Sequence, residues 1–238
     1  ASGAATGGKG GDILISVGSG TAGIGGDISV TAGTSTASSG GALSLSSGYS
    51  TPTTSGSIAV RTVNAGTSGV SGGLSFASGT TSNGASGTVS ISTGAATHGR
   101  GGDIVLSVGA SKTNFGGDIV VEAGDSEPLT GGAVSLATGE GTATSSGMIV
   151  LKSTNAGTLG TSGMLSFTSG TTSSGSSGSI NVASGAATGG KGGDILISVG
   201  AGTAMDGGDM TIQAGETTAN SQRGGSVVIS AGAGSSST

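Results

Sequence analysis

Apolar clusters return along this chain every 15 residues, and that period, more than any single motif, limits what the chain can fold into. The first apolar residues of the clusters are Ile13, Ile28, Leu43, Ile58, Leu74, Val89, Ile104, Ile119, Val134, Ile149, Leu165, Ile180, Ile195, Met210 and Val227. The steps between them are 15, except for 16 before Leu74 and Leu165 and 17 before Val227. Fifteen units of one design result, and six units make a super-repeat of 91 residues. The longer period is visible directly: "SGAATGGKGGDILISVG" begins at Ser2 and again at Ser184, with the near copy "TGAATHGRGGDIVLSVG" at Thr93. The chain reads as one continuous repeat array over residues 1–238, with super-repeats at about 2–92, 93–183 and an incomplete 184–238. Repeat arrays end in polar capping units. No such unit stands at either end here, so the array reads as an excerpt of a longer chain.

Within a unit the pattern is G-x-h-x-h-x-x-G, as in "GDISVTAG" from Gly26 to Gly33 or "GTVSISTG" from Gly87 to Gly94. Apolar and β-branched residues two apart predict a half-buried strand of about five residues rather than a helix. The glycines that follow, such as Gly18, Gly33, Gly48, Gly94 and Gly109, would permit positive φ at a corner. The connection of about ten residues is too short and too poor in helix formers for a crossover helix. The pattern therefore predicts an all-β chain, a parallel β-solenoid (β-helix) of about fifteen 15-residue coils with a six-coil super-repeat. Each strand would then stack about 4.8 Å above its predecessor. Phe76 and Phe167, in the "LSF" units that follow the extra residue, would fill a wider coil. Two geometries compete: a 30-residue coil made of two units, and an antiparallel meander with long hairpin loops. The meander is the least favoured, because hairpin loops are commonly two to five residues.

Glycine supplies 55 of the 238 residues and charged residues only 8%, a balance common in low-complexity chains. A mean hydropathy of +0.22 and regularly placed Ile, Leu and Val argue instead for order built from repetition. There is no cysteine, so disulfides and thiolate metal sites are excluded. The single histidine, His98, stands where the other copies have Gly7 and Gly189, and reads as a tolerated loop residue. A net charge of −5 with seven scattered cations argues against a nucleic-acid or anionic-membrane partner. No apolar run approaches the ~18 residues of a membrane-spanning helix.

"GGKGGDILI" from Gly7 to Ile15 fits a nonapeptide calcium-repeat pattern. The six aspartates at matching positions in consecutive units, Asp12 with Asp27, Asp103 with Asp118 and Asp194 with Asp209, are accordingly the calcium candidates. The 15-residue spacing and the cation three residues before Asp12, Asp103 and Asp194 argue against them, because calcium wants several oxygens without a competing ammonium. Charge compensation by Lys9, Arg100 and Lys191 is the preferred reading, so neither metal nor cofactor is expected. An acid/base pair for polysaccharide hydrolysis lacks the aromatic residues that hold a sugar: there is no Trp and one Tyr. No catalysis is expected.

In units one, seven and thirteen the outward position, often Ser elsewhere, is Leu14, Val105 or Leu196. These three are the candidates for lateral assembly, although Val120, Val150 and Val228 blur the pattern. Segments such as "GTTSNGASG" and "GTTSSGSSG" add hydroxyl-rich connections.

In these regular Gly/Ser/Thr-rich units the whole chain resembles the repetitive β-solenoid fibre and adhesin-stalk proteins of microbial and algal cell surfaces. The resemblance implies a structural module of an extracellular or cell-surface filament. Such a module would associate with itself end to end and laterally, and its hydroxyls could accept O-linked glycans. The competing expectation is an adhesin or ice-binding rod that uses a Ser/Thr-rich face. Ice-binding solenoids align outward T-x-T pairs on one face, whereas the outward positions here mix Leu, Ser, Ala, Val, Asn and Thr.

Overall fold

The computed structural model describes residues 2–127 and 129–234. It divides into two units, Ala1–Val120 and Val121–Thr238. Among the described residues there is no helix and no β-strand, so the predicted parallel β-solenoid is not formed.

The 15-residue period survives as something else, a series of bends in an otherwise extended chain. They are centred on residues 7, 22, 37 and 52, then 68, 83, 98 and 113, then 143, 159, 174, 189, 204 and 220, with one more flanking position 128. At each bend the chain folds back on itself. The tightest closures join the glycine after one apolar cluster to the glycine before the next. Gly41 N–H donates to Gly33 O at 2.9 Å, Gly56 to Gly48 at 2.9 Å, Gly132 to Gly124 at 2.9 Å and Gly147 to Gly139 at 3.1 Å. Gly225 to Gly215 at 2.8 Å repeats the arrangement around a longer loop.

One pair of positions faces across each bend in both units. The residue two before each leading apolar residue is glycine in all fifteen repeats, from Gly11 and Gly26 to Gly208 and Gly225. Opposite it stands the small or β-branched residue that ends the previous cluster. A Cβ at Gly56 would lie 3.3 Å from Ser47 Cβ, at Gly147 3.1 Å from Thr138 Cβ, and at Gly193 3.3 Å from Ser184 Cβ. The valines fill this space most completely. A Cβ at Gly117 would lie 2.8 Å from Val108 Cγ1, and at Gly208 2.9 Å from Val199 Cγ1. In the structure these glycines make room for the facing side chain.

The extra residues of the long units fall inside the fold-back and leave the facing pair intact. Gly72 faces Thr62 and Gly163 faces Ser153, ten residues apart, whereas Gly56 and Ser47 are nine apart. Phe76 and Phe167, expected to fill a wider coil, remain exposed. The corner glycines behave differently from expectation too. Positive φ occurs at Gly69, Gly84, Gly160 and Gly175, each the last residue of its bend, and not at Gly18, Gly33, Gly48, Gly94 or Gly109.

Two physical reasons account for fold-backs in place of stacked coils. Each unit offers two to four apolar side chains in one extended segment, while its connection carries at most one or two, such as Ile24, Phe115 or Leu159, all three of them exposed. A 15-residue coil would thus have no apolar wall opposite its strand, and stacking would enclose little hydrophobic volume. Closing a loop of eight residues also costs about 0.6 kcal/mol less chain entropy than closing one of fifteen. With so many glycines to order, that difference favours the local contact. Among the described residues the nearest atoms that a glycine Cβ would meet all lie within eleven residues in sequence, on the same fold-back.

The result has no buried core: among the described residues no hydrophobic side chain is buried. The alternation read from the sequence persists only as a gradient. Ile104, a leading residue, is 51% exposed, the outward Val105 79%, and Val108, against Gly117, 47%.

Candidate functional site

The charged motif that recurs every super-repeat lies on the returning side of its bend. Lys9 Nζ donates to Asp12 Oδ2 at 2.7 Å, Arg100 Nη2 to Asp103 Oδ1 at 2.6 Å, and Lys191 Nζ to Asp194 Oδ2 at 2.8 Å. Three residues is the reach a long cation needs to fold over "GG" onto the next carboxylate. All three pairs are solvent-exposed, and each joins residues of one unit. Sequence reading has the cation serve two stacked aspartates; here it meets one, and Asp27, Asp118 and Asp209 take no part in these ion pairs.

Among the described residues no three His, Asp or Glu side chains gather where they could hold a metal ion, the six aspartates included. His98 is exposed in its bend. An open depression of about 330 Å³ lies beside Arg61, Thr62, Val63 and Asn64, where the long unit's extra residue is accommodated. It combines one cation with two small polar side chains and has neither a nucleophile–base pair nor a carboxylate.

Exposed ion pairs contribute about 0–1 kcal/mol and are screened by salt. Asp103→Asn is therefore expected to leave amide hydrogen exchange in the 97–99 bend within about twofold of the parent. Acceleration beyond tenfold would show that the pair holds the bend together.

The structure reveals two groups of local determinants that the apolar pattern does not disclose. The first is a set of hydroxyls that precede bends and accept backbone N–H groups. Ser35 Oγ accepts from Ala37 at 3.3 Å and Ser38 at 3.0 Å, Ser111 Oγ from Asn114 at 3.1 Å, and Ser126 Oγ from Leu129 at 3.2 Å. Thr81 and Thr172, one super-repeat apart, accept from Asn83 and Ser174 and donate to the carbonyls of those same residues. Short hydroxyl side chains capture nearby N–H groups in this way wherever the chain turns. The second is the motif G-x-G-T-A at Gly18–Ala22, Gly139–Ala143 and Gly200–Ala204. A Cβ at Gly20 would lie 2.7 Å from Ile24 O and 2.8 Å from Gly23 O, and at Gly202 2.8 Å from Met205 O and 2.9 Å from Asp206 O. Only glycine lets the backbone approach itself that closely. The repeated motif and the Ser or Thr ahead of some of the bends were the available signals.

The lateral-assembly candidates are among the most exposed apolar residues, Leu14 at 88% and Leu196 at 86%, with Val105 close behind. What the chain presents is thus a series of partly exposed apolar clusters separated by hydroxyl-lined bends. No protein-family model matches the chain, and neither a curated protein nor a solved structure shows significant similarity to it.

Proposed function

We propose that this chain is a structural repeat module of an extracellular or cell-surface filament, without catalysis, and that it works by associating with other copies of itself. The observation that supports this reading is one local geometry repeated at constant spacing, with its apolar clusters left half exposed. Units differ in loop length, in the side chains of bends and in outward positions such as Leu14 and Ser29, while the spacing of the apolar clusters is kept to within two residues. Bend hydroxyls not engaged with the backbone are available to water or to O-linked sugars.

Electron microscopy of the purified chain, with sedimentation over a concentration series, tests the reading. Filaments that form without any added ligand are the expected result. Discrete monomers at every concentration would overturn it, and monomers that still attach to a surface would favour an adhesin or ice-binding role.

A further inference from the structure

The chain exposes 23205 Å². A folded monomer of its mass, 21.4 kDa, exposes about 9,000 Å² and a fully unfolded chain about 31,000 Å². The difference from a folded monomer, about 14,000 Å², is several times the 1,200–2,000 Å² that a standard protein interface buries in total. A partner that meets one patch cannot cover clusters spread over fifteen repeats. The partner must present complementary clusters at the same 15-residue spacing, and a copy of this chain does so by construction.

We propose that a second copy of the chain covers these clusters, running parallel and in registers that are multiples of the 91-residue super-repeat. This rests on the filament reading and adds the register to it. An offset of a single unit would align leading residues equally well, but it would set Leu14 against Ser29 and the wide fold-back from Thr62 to Gly72 against a narrow one. Among parallel registers, only multiples of 91 bring Leu14, Val105 and Leu196 to one another and the wide loops into coincidence. An antiparallel copy can set Leu14 against Leu196 and Val105 against Val105, but it then places the wide fold-back from Thr62 to Gly72 against the narrow one from Thr138 to Gly147. The ion pairs at Asp12 and Asp103 are internally neutral, so they can lie side by side without opposing net charge.

The chain contains no cysteine, so single introduced thiols report the register without ambiguity. Leu14→Cys chains are mixed with Val105→Cys chains, and in parallel with Ser44→Cys chains, then oxidised under conditions in which the unmodified chain assembles. Disulfides joining two chains through position 14 of each, and through position 14 of one and position 105 of the other, are expected. Both should be at least tenfold more abundant than the product that joins position 14 to position 44. Equal yields of the 14–105 and 14–44 products would overturn the register. Assemblies in which the thiol at position 14 links neither to its own counterpart nor to position 105 would also overturn it, while leaving the filament reading intact. Monomers throughout the sedimentation series would remove both.

Discussion

Replacing the six leading residues of the first super-repeat, Ile13, Ile28, Leu43, Ile58, Leu74 and Val89, by Ser should abolish assembly while leaving the bends in place. In the single chain each of these side chains is already more than half exposed, so the conformation of the monomer owes little to any one of them. Full burial of an Ile, Leu or Val contributes about 1.5–3 kcal/mol, so covering the remaining half contributes about 1 kcal/mol per site. Six sites sum to about 6 kcal/mol, a drop of about 10⁴ in the association constant. Sedimentation would show the six-site variant as monomer at concentrations where the parent is assembled, with unchanged far-ultraviolet circular dichroism. A variant that assembled as well as the parent would mean that the clusters are not the adhesive surface. The five outward residues Ser29, Ser44, Ala59, Ser75 and Ser90 changed to Gly provide the comparison, and their replacement should alter assembly far less.

The second large effect concerns glycine, and its sign reverses within two residues. Gly20→Ala introduces a methyl group where the carbonyls of Gly23 and Ile24 stand closer than any real Cβ contact, and backbone cannot rotate away as a side chain can. The loop must open, with a cost of about 1–3 kcal/mol in line with other overpacked sites. Gly18→Ala meets nothing within 4 Å and has no positive φ, so it should reduce the freedom of the unfolded chain and strengthen the same bend by about 0.4–1 kcal/mol. Amide hydrogen exchange across residues 18–26 separates the two: faster in the first variant by about fivefold or more, slower in the second. Equal rates in both would mean that the close approach is not maintained in solution. Gly202→Ala, two super-repeats away, should reproduce the first result.

Much of the local organisation was legible in the residues. The 15-residue period of the apolar clusters reappears as the period of the bends, and the extra residues before Leu74 and Leu165 reappear as wider fold-backs. The pairing of Lys9, Arg100 and Lys191 with the aspartates three residues on also followed from spacing, because reach along a short turn depends on little else. The role of the glycine before each cluster was not legible. A glycine kept for positive φ and one kept to admit Val108 or Val199 look identical in a sequence, and only the position of the facing side chain tells them apart.

The repeat length, the placement of turns and the absence of cysteine or any multi-histidine site follow from the order of residues alone, because each depends on contacts within a few positions along the chain. Whether a leading residue such as Ile104 meets Ile119, one unit on, or solvent depends on a balance between distant pairing and local closure. The periodicity is compatible with either outcome, and expecting stacked strands assumed the first. In the folded chain local closure prevails, since a glycine-rich connection has no apolar wall to offer and the shorter loop is entropically less costly to close. The clusters that would have formed a core are consequently left on the surface, which is where a partner can reach them.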